Sequence, residues 1–588
     1  MAYMTSRHRF IGPISAMTEA TVSVRDAFHT EPQTHTLPHK AADVAVGDWV
    51  DVHEDGTLTV LAAAGSALAR IYALAVDKAF DPIHPPAVLA EADALYRNPG
   101  IDDPSLVDRC GLPFVTIDEV SSKDLDQALC IQRDADGGWL VWYAIADAAW
   151  FARPGQPIFD EALRRGATCY LPGLVVPMMP ACLSEDACSL NPMVDRRALL
   201  FRMSLDEAGV RRGCTIERAR IRSRAKLDYD GVDAWLKGTG PLACDDPAVL
   251  ESLRGLRTVG ELRIQQAVER DVVRLRRVES AVRMEGADGM RFVAFSDPRN
   301  DVERYNEQIS LLCNMEGAQY LMDAPDFLRP IFRVHPAPSP SRVDEMREQI
   351  EAIVHVNQLD ASWRWRPDDE TLAVYLDRLP RGGAAGRLAR AIHRQAMMIN
   401  GRSSFTAVPG LHHGVGAEAY ARFSAPMREI VGVYVHLQCW EKLRGAPLPG
   451  QPTGAEEEAL REAVIAASNA ARSRQRAIDH ETNRFVLDQI FSDDSERGDA
   501  PWRRGTVMGI ARSKIHVQLD DIGIDVKVYR HHLERELGVS LHTEGRTCMR
   551  TEGPEGFRVR VGEAVEVRVS GRDPQVDRWV LALRAVTA

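Results

Sequence analysis

The 588 residues predict several domains with at least one large core, and 45% hydrophobic, 27% charged and 6% aromatic residues exclude a disordered chain. A net charge of −12 argues against indiscriminate nucleic-acid binding, yet it leaves room for a local basic track, with Arg211 to Lys226 and Arg270 to Arg283 as candidates. A solvated strand or helix face explains either segment equally well. The longest apolar run, Leu58 to Phe80, is broken by Arg70, Asp77 and Lys78, so no membrane association is expected. Met1 to Ile11 lacks the apolar core of a secretory signal, and ten scattered cysteines without zinc spacing fit free thiols in a reducing compartment. A cytoplasmic location follows as the expectation.

In chain order, residues 1–40 show no clear period and read as a tail or extension. Residues 41–110 read as a small β and helical region: Val44 to Ala62 flanks Asp55-Gly56, a hairpin signal, and Ala62 to Tyr96 holds two helices separated at Pro82 to Pro86. Residues 111–497 form the largest block. Its strands (Trp139 to Ile145, Ala198 to Leu205, Arg291 to Phe295) mix with amphipathic helices (Asp246 to Arg277, Asp301 to Leu321, Arg342 to Asn357, Gly386 to Ile399), and Ala455 to Phe491 closes it as one long helix. The fold class is therefore α+β. Residues 498–588 carry five short strands in under a hundred residues, which suggests an OB-fold barrel with Tyr529, His531 and His532 on a thin candidate nucleic-acid face. No Gly-rich phosphate loop or dinucleotide fingerprint occurs, so no nucleotide cofactor is expected.

One acidic stretch carries the chemistry. Phe114 to Ile117 is a β-branched apolar run, Asp118 falls where it stops, and Asp124 and Asp126 share a face if the chain there is extended. Three crowded carboxylates need a cation or a proton among them, and oxygen-only ligation suits Mg²⁺, or Mn²⁺, with phosphate oxygens completing the shell. On spacing alone, a solvated Asp/Ser turn remains the better explanation. A calcium loop is excluded, since its alternating acids, central Gly and final Glu are missing.

Several ordered segments change that balance. Phe-Val-Thr-Ile-Asp118 with Asp124-Leu-Asp126-Gln127-Ala, Asp160-Glu-Ala-Leu-Arg-Arg-Gly166, Tyr170 to Pro180, Leu183 to Pro192, Ile221 to Tyr229, and His413-Gly-Val-Gly with Tyr420 to Arg428 together resemble the ribonuclease II (RNB) family of 3′-to-5′ exoribonucleases. The likeness runs from about residue 111 to the C-terminus. It implies an RNB-type catalytic domain with a C-terminal OB-fold barrel. The implied activity is metal-dependent hydrolysis of single-stranded RNA to nucleoside 5′-monophosphates by a monomer. Asp118, Asp124, Asp126 and Gln127 would bind the metal; Asp126 and Arg428 would be catalytic; Tyr170, Arg428 and Tyr529 would hold RNA.

The sequence also departs from the family. Gln127 stands where a fourth Asp is frequent, Glu429, Ile430 and Gly432 replace a basic residue, an aromatic and an acid, Ala425 replaces a Ser, and Ala144 a His. Two cold-shock barrels are usual before the acidic strand, whereas a single hairpin and two helices are expected here. These departures motivate a second reading, an RNA-binding protein that keeps the fold and has lost turnover. A third, hydrolysis of DNA or a small phosphodiester, is disfavoured by the resemblance.

Overall fold

The structure, a computed structural model, describes residues 8–586 apart from 30, 32, 39–43, 274–278, 287, 288, 298 and 553–555. The expected tail is corrected at once. His8–Met17, Thr21–Arg25 and Thr34–Pro38 are strands that join Trp49–His53 and Leu58–Ala62 in one antiparallel sheet, ordered third, second, first, fourth, fifth. Phe10, Ile14, Val22, Val24, Leu37, Val50 and Val52 form its core. The first strand hides its period because Gly12-Pro13 interrupts it and its register slips between Ile14 and Ala16. Gly12 is required there: a Cβ would lie 1.7 Å from the carbonyl oxygen of Arg25. Residues 1–7 lie outside the described part of the chain.

Two helices, Ala67–Asp77 and Pro86–Arg97, lead to the central sheet. Its order is Asp195–Leu205, Trp139–Ala146, Gln127–Arg133, Phe114–Asp118, Arg211–Asp228 and Val107–Asp108, and the first of these also pairs with Arg211–Asp228, so the sheet closes on itself. Phe114–Ile117 is buried, as a strand with apolar residues on both faces must be, and Asp118 emerges at its end. Helices Pro247–Glu269 and Asp301–Met322 cover this sheet; the second starts in a capping box formed by Asn300 and Glu303. Helices Ile430–Arg444 and Ala455–Glu496 complete the central block.

The basic segment Arg211 to Lys226 is a strand of the central sheet, and five of its arginines are ion-paired within the protein. Arg211 pairs with Glu316, Arg218 with Asp147, Arg220 with Asp108, Arg222 with Asp195 and Arg224 with Asp246. The other candidate segment, Arg270 to Arg283, falls partly outside the described residues.

The C-terminal sheet repeats the N-terminal plan. Arg503–Ala511, Lys514–Leu519, Asp525–Tyr529, Ala564–Asp573 and Arg578–Ala585 again take the order third, second, first, fourth, fifth, with helix Arg530–Leu537 after the third strand. Both ends of the chain thus fold as five-stranded antiparallel units around a block of another architecture.

A buried ionic hub fixes the central sheet. Asp147, at the end of strand Trp139–Ala146, accepts from Arg197 at 3.2 Å and from Arg218 at 2.7 Å, and Arg197 also reaches Asp103 at 3.1 Å. The guanidinium of Arg197 stacks 3.9 Å over Trp150, and that of Arg218 lies 3.5 Å over Trp440. Burial alone would raise the Asp147 carboxyl, but Arg218 and Arg197 override it and hold it down to about 2. Its charged form therefore stabilises the fold above the ordinary value of 3.8, and the contribution fades as pH falls toward about 2. Asp147→Asn leaves two buried guanidiniums short of a counter-charge and is expected to lower unfolding free energy by about 3–5 kcal/mol at neutral pH. Denaturant titrations should show the gap to the native sequence narrowing between pH values of about 4 and about 2.

Candidate functional site

Asp126 is the buried centre of the site. Its Oδ1 accepts from the backbone N–H of Met427 at 3.1 Å, and its Oδ2 accepts from Arg428 Nε at 2.6 Å, joining positions 302 residues apart in sequence. Burial pushes its carboxyl up to about 6, with Asp124 adding to the rise, while Arg428 and the Met427 N–H oppose it. Asp124 lies 4.0 Å from Arg428. Its carboxyl is also raised, first by burial and then by Asp118 and Glu185, against Arg428. Asp118 Oδ1 accepts from the Glu119 N–H at 2.8 Å and from Ser122 Oγ at 2.9 Å, which holds the turn.

The three aspartates are thus electrostatic neighbours. Among the described residues, however, no three acidic, His or Cys side chains stand at metal-binding distance from one another. Their donor chemistry, carboxylate oxygen only, fits a hard divalent ion, with Arg428 now taking the Asp126 oxygen that such an ion would share. Gln127 is not placed as a ligand. Its Nε2 donates to the carbonyl of Ser424 and its Oε1 accepts from the Tyr143 hydroxyl, so both ends of the carboxamide tie strand to loop.

The loop carrying Arg428 is held by residues that sequence reasoning missed. Asn314, fully buried, accepts through Oδ1 from the N–H groups of Phe423 (2.7 Å) and Ser424 (3.2 Å) and donates through Nδ2 to Tyr420 Oη and Ser424 Oγ, both at 2.9 Å. The side chain thereby templates the loop backbone. Glu429 accepts from Arg422 Nε at 3.0 Å and Nη2 at 2.9 Å, giving the family's lost basic position a different partner. A Cβ on Gly432 would sit 2.8 Å from Pro426 Cα, so the loop packs on bare helix backbone where an acid is usual. Spacing could not reveal these contacts, since each depends on a partner distant in sequence or on the absence of a side chain.

Tyr170 ends up beside Arg428. The Gln475 side chain of the long helix fastens its backbone, accepting from Tyr170 N at 3.2 Å and donating to Tyr170 O at 2.9 Å. The Tyr170 ring is 44% exposed and lines a groove of about 1000 Å³ that also includes Tyr529. Arg578 stacks 4.2 Å from the Tyr529 ring centroid, and His516 and Lys527 add donors along the same groove. The structure therefore brings Asp124, Asp126, Arg428 and Tyr170 together, with Asp118 an electrostatic neighbour of Asp124, and Tyr170 alone of these lines the groove that holds Tyr529.

This arrangement sets a carboxylate–arginine centre beside a tyrosine that also lines a groove running to a small five-stranded unit. The RNB domain matches residues 107–445, and the chain belongs to the RNB family. It is 26% identical over 468 residues to Ribonuclease R of Escherichia coli (79% of this chain, 55% of that protein). It is 30% identical over 344 residues to Exoribonuclease 2 of Edwardsiella piscicida (58% and 51%). The chain spans about half the length of these relatives. Mycoplasma genitalium RNase R, solved with ribose-methylated single-stranded RNA, superposes with a TM-score of 0.77 at 20% identity, covering 98% of this chain and 90% of that one, which establishes a shared fold.

Two substitutions test the loop. Asn314→Leu strips two buried N–H groups of their acceptor and should cost about 1–3 kcal/mol of stability, read by thermal unfolding. Gly432→Asp restores the acid usual in the family but drives a side chain into Pro426. It should destabilise by about 1–3 kcal/mol and impair whatever activity Arg428 supports, instead of improving it.

Proposed function

We propose that the protein is a hydrolytic exoribonuclease that shortens single-stranded RNA from its 3′ end and releases nucleoside 5′-monophosphates. The observation that carries this reading is the Asp126–Arg428 contact at 2.6 Å beside Tyr170, a residue that also lines a groove edged by Tyr529 and Arg578. A groove with aromatic faces and guanidiniums suits a flexible strand, because every base has a face to stack and every phosphate a charge to pair. Tyr170, pinned by Gln475, offers its exposed ring to the terminal nucleotide. Arg428 has its Nε on Asp126, which orients the planar guanidinium so that its terminal N–H groups can meet a phosphate and offset the charge that grows during hydrolysis.

Asp118, Asp124 and Asp126 would hold a divalent cation, Mg²⁺ or Mn²⁺, which when bound supplies an activated water and a counter-charge for the phosphoryl oxygens. Gln127 braces the loop through its hydrogen bond to the Ser424 carbonyl and would add no charge to the ion's shell. A second reading, an RNA-holding protein without turnover, is favoured by the committed Gln127 carboxamide and by the lack of a three-ligand group among the described residues.

A 5′-labelled RNA and its DNA counterpart, incubated with Mg²⁺, with Mn²⁺ or with chelator, separate the two readings. The exoribonuclease reading expects a ladder that shortens from the 3′ end only with RNA and metal. Asp126→Asn should abolish that ladder and leave RNA binding within about threefold, since it removes one charge and keeps the groove. Binding without shortening in every condition establishes the holding protein, and undiminished turnover by Asp126→Asn removes that residue from the chemistry.

A further inference from the structure

A second cavity, of about 380 Å³, opens from Tyr170 and Arg428 between the segment at residues 165–170 and the helix Ala455–Glu496. Its charge does not balance. Arg422 is answered by Glu429, but Arg472 and Arg474 line the same cavity with no carboxylate within 4.0 Å among the described residues. Arg472 is instead crowded against another cation. Ser403 Oγ accepts from Arg333 Nε at 3.2 Å and Nη2 at 3.0 Å and also from Arg472 Nη2 at 3.1 Å, so two guanidiniums converge on one neutral hydroxyl. Arg474 donates to the carbonyl of Arg165 at 2.5 Å, and its Nε has no partner.

Like charges this close, and partly removed from water, are unfavourable without a counter-ion. Burial first and then the neighbouring cation Arg333 lower Arg472 to about 10, although Glu429, already paired with Arg422, opposes them. A second observation points into the same space: Ser468, 4% exposed and lining the cavity, has a hydroxyl with no hydrogen-bond partner. Buried hydroxyls are ordinarily satisfied. Guanidinium forks, a spare hydroxyl donor and excess positive charge match an anion with several acceptor oxygens.

We infer that the part of this cavity lined by Arg422, Arg472, Arg474 and Ser468 is a phosphomonoester site that adjoins Arg428, which lines the same cavity, and that recognises the phosphate through Arg472 and Arg474 instead of Arg428. The inference deepens the exoribonuclease reading and rests on it for the source of the ligand. A phosphomonoester dianion reaches this space in two ways, as the 5′-phosphate of a released mononucleotide or as the 3′-phosphate of an RNA end that has passed Tyr170. In the first case product is retained and inhibits; in the second, 3′-phosphorylated RNA becomes a preferred end.

Both sources are read by equilibrium binding to the full chain in chelator, where nothing turns over. Calorimetry compares adenosine 5′-monophosphate with adenosine, and anisotropy compares one RNA ending in a 3′-hydroxyl with the same RNA ending in a 3′-phosphate. At least one phosphorylated ligand should bind about tenfold more tightly than its partner, and that advantage should vanish in Arg472→Gln and shrink in Arg474→Gln. Circular dichroism confirms that each variant is folded, and the second variant carries the test if the first is not. No advantage in either comparison overturns the inference. So does an advantage that survives in folded Arg472→Gln or, where that variant does not fold, in Arg474→Gln, because the phosphate would then sit at Arg428. The mononucleotide comparison involves no RNA, so it stands even if the protein proves unable to shorten RNA.

Discussion

Everything at the centre of this molecule depends on burying one carboxylate against one guanidinium. Asp126 lies at the start of the strand that pairs with Trp139–Ala146, and its own carbonyl accepts from Ala146 N at 2.8 Å. The next residue along that partner strand is Asp147, whose two arginines anchor it in the sheet. The strand end carrying Asp126 is thus immobilised from behind, while Met427 and Arg428 hold its carboxylate from in front. A buried charge pair of this kind adds little net stability, because desolvation offsets most of the attraction. What it supplies is placement, bringing the acidic turn and the arginine loop to one point across three hundred residues.

The departures from the family pattern make sense as one rebuilt unit. Glu429 would be an unpaired acid if Arg422 were absent, and together they restore neutrality beside Arg428. Gly432 lets Pro426 approach the helix backbone, Gln127 grips the Ser424 carbonyl from the strand side, and Asn314 binds the N–H groups of Phe423 and Ser424. Each of these residues touches the segment from Phe423 to Glu429. A carboxylate at Gln127 could not donate to Ser424 O, and a side chain at Gly432 could not fit, so the substitutions read as coupled adjustments that keep Arg428 in position.

How much of this was legible follows from the range of the interactions. Asp118 at a strand end could be read because an apolar β-branched run and a carboxylate are adjacent in sequence, and the long helix could be read from its Ala-, Glu- and Arg-rich composition. The N-terminal strands could not, since Gly12-Pro13 and the polar strand Thr34–Pro38 blur the alternation that marks a half-buried sheet. The basic run Arg211 to Lys226 was ambiguous for another reason: charge on a strand reads the same whether it faces RNA or five carboxylates from elsewhere. Gln127 was read as a ligand because its nearest sequence neighbours are carboxylates, and its hydrogen-bond partners, Tyr143 and Ser424, could not be read because they come from another strand and a distant loop.

Charge is also distributed in an order that bears on direction of travel. The groove at Tyr529 mixes cations with acids, and its Arg394 is paired with Asp525 at 2.6 Å, so part of its positive charge is compensated. At Arg428 the compensation comes from Asp126 at 2.6 Å, with Asp124 at 4.0 Å adding to it. In the cavity past Tyr170, Arg472 and Arg474 have no acidic partner among the described residues. Uncompensated positive charge is thus greater in that cavity than in the groove, which on the proposed function would favour an anionic strand end that has passed Tyr170. In a chain with a net charge of −12, the proposed function would use this local excess of positive charge to favour the anionic end of a strand over its length at the buried site.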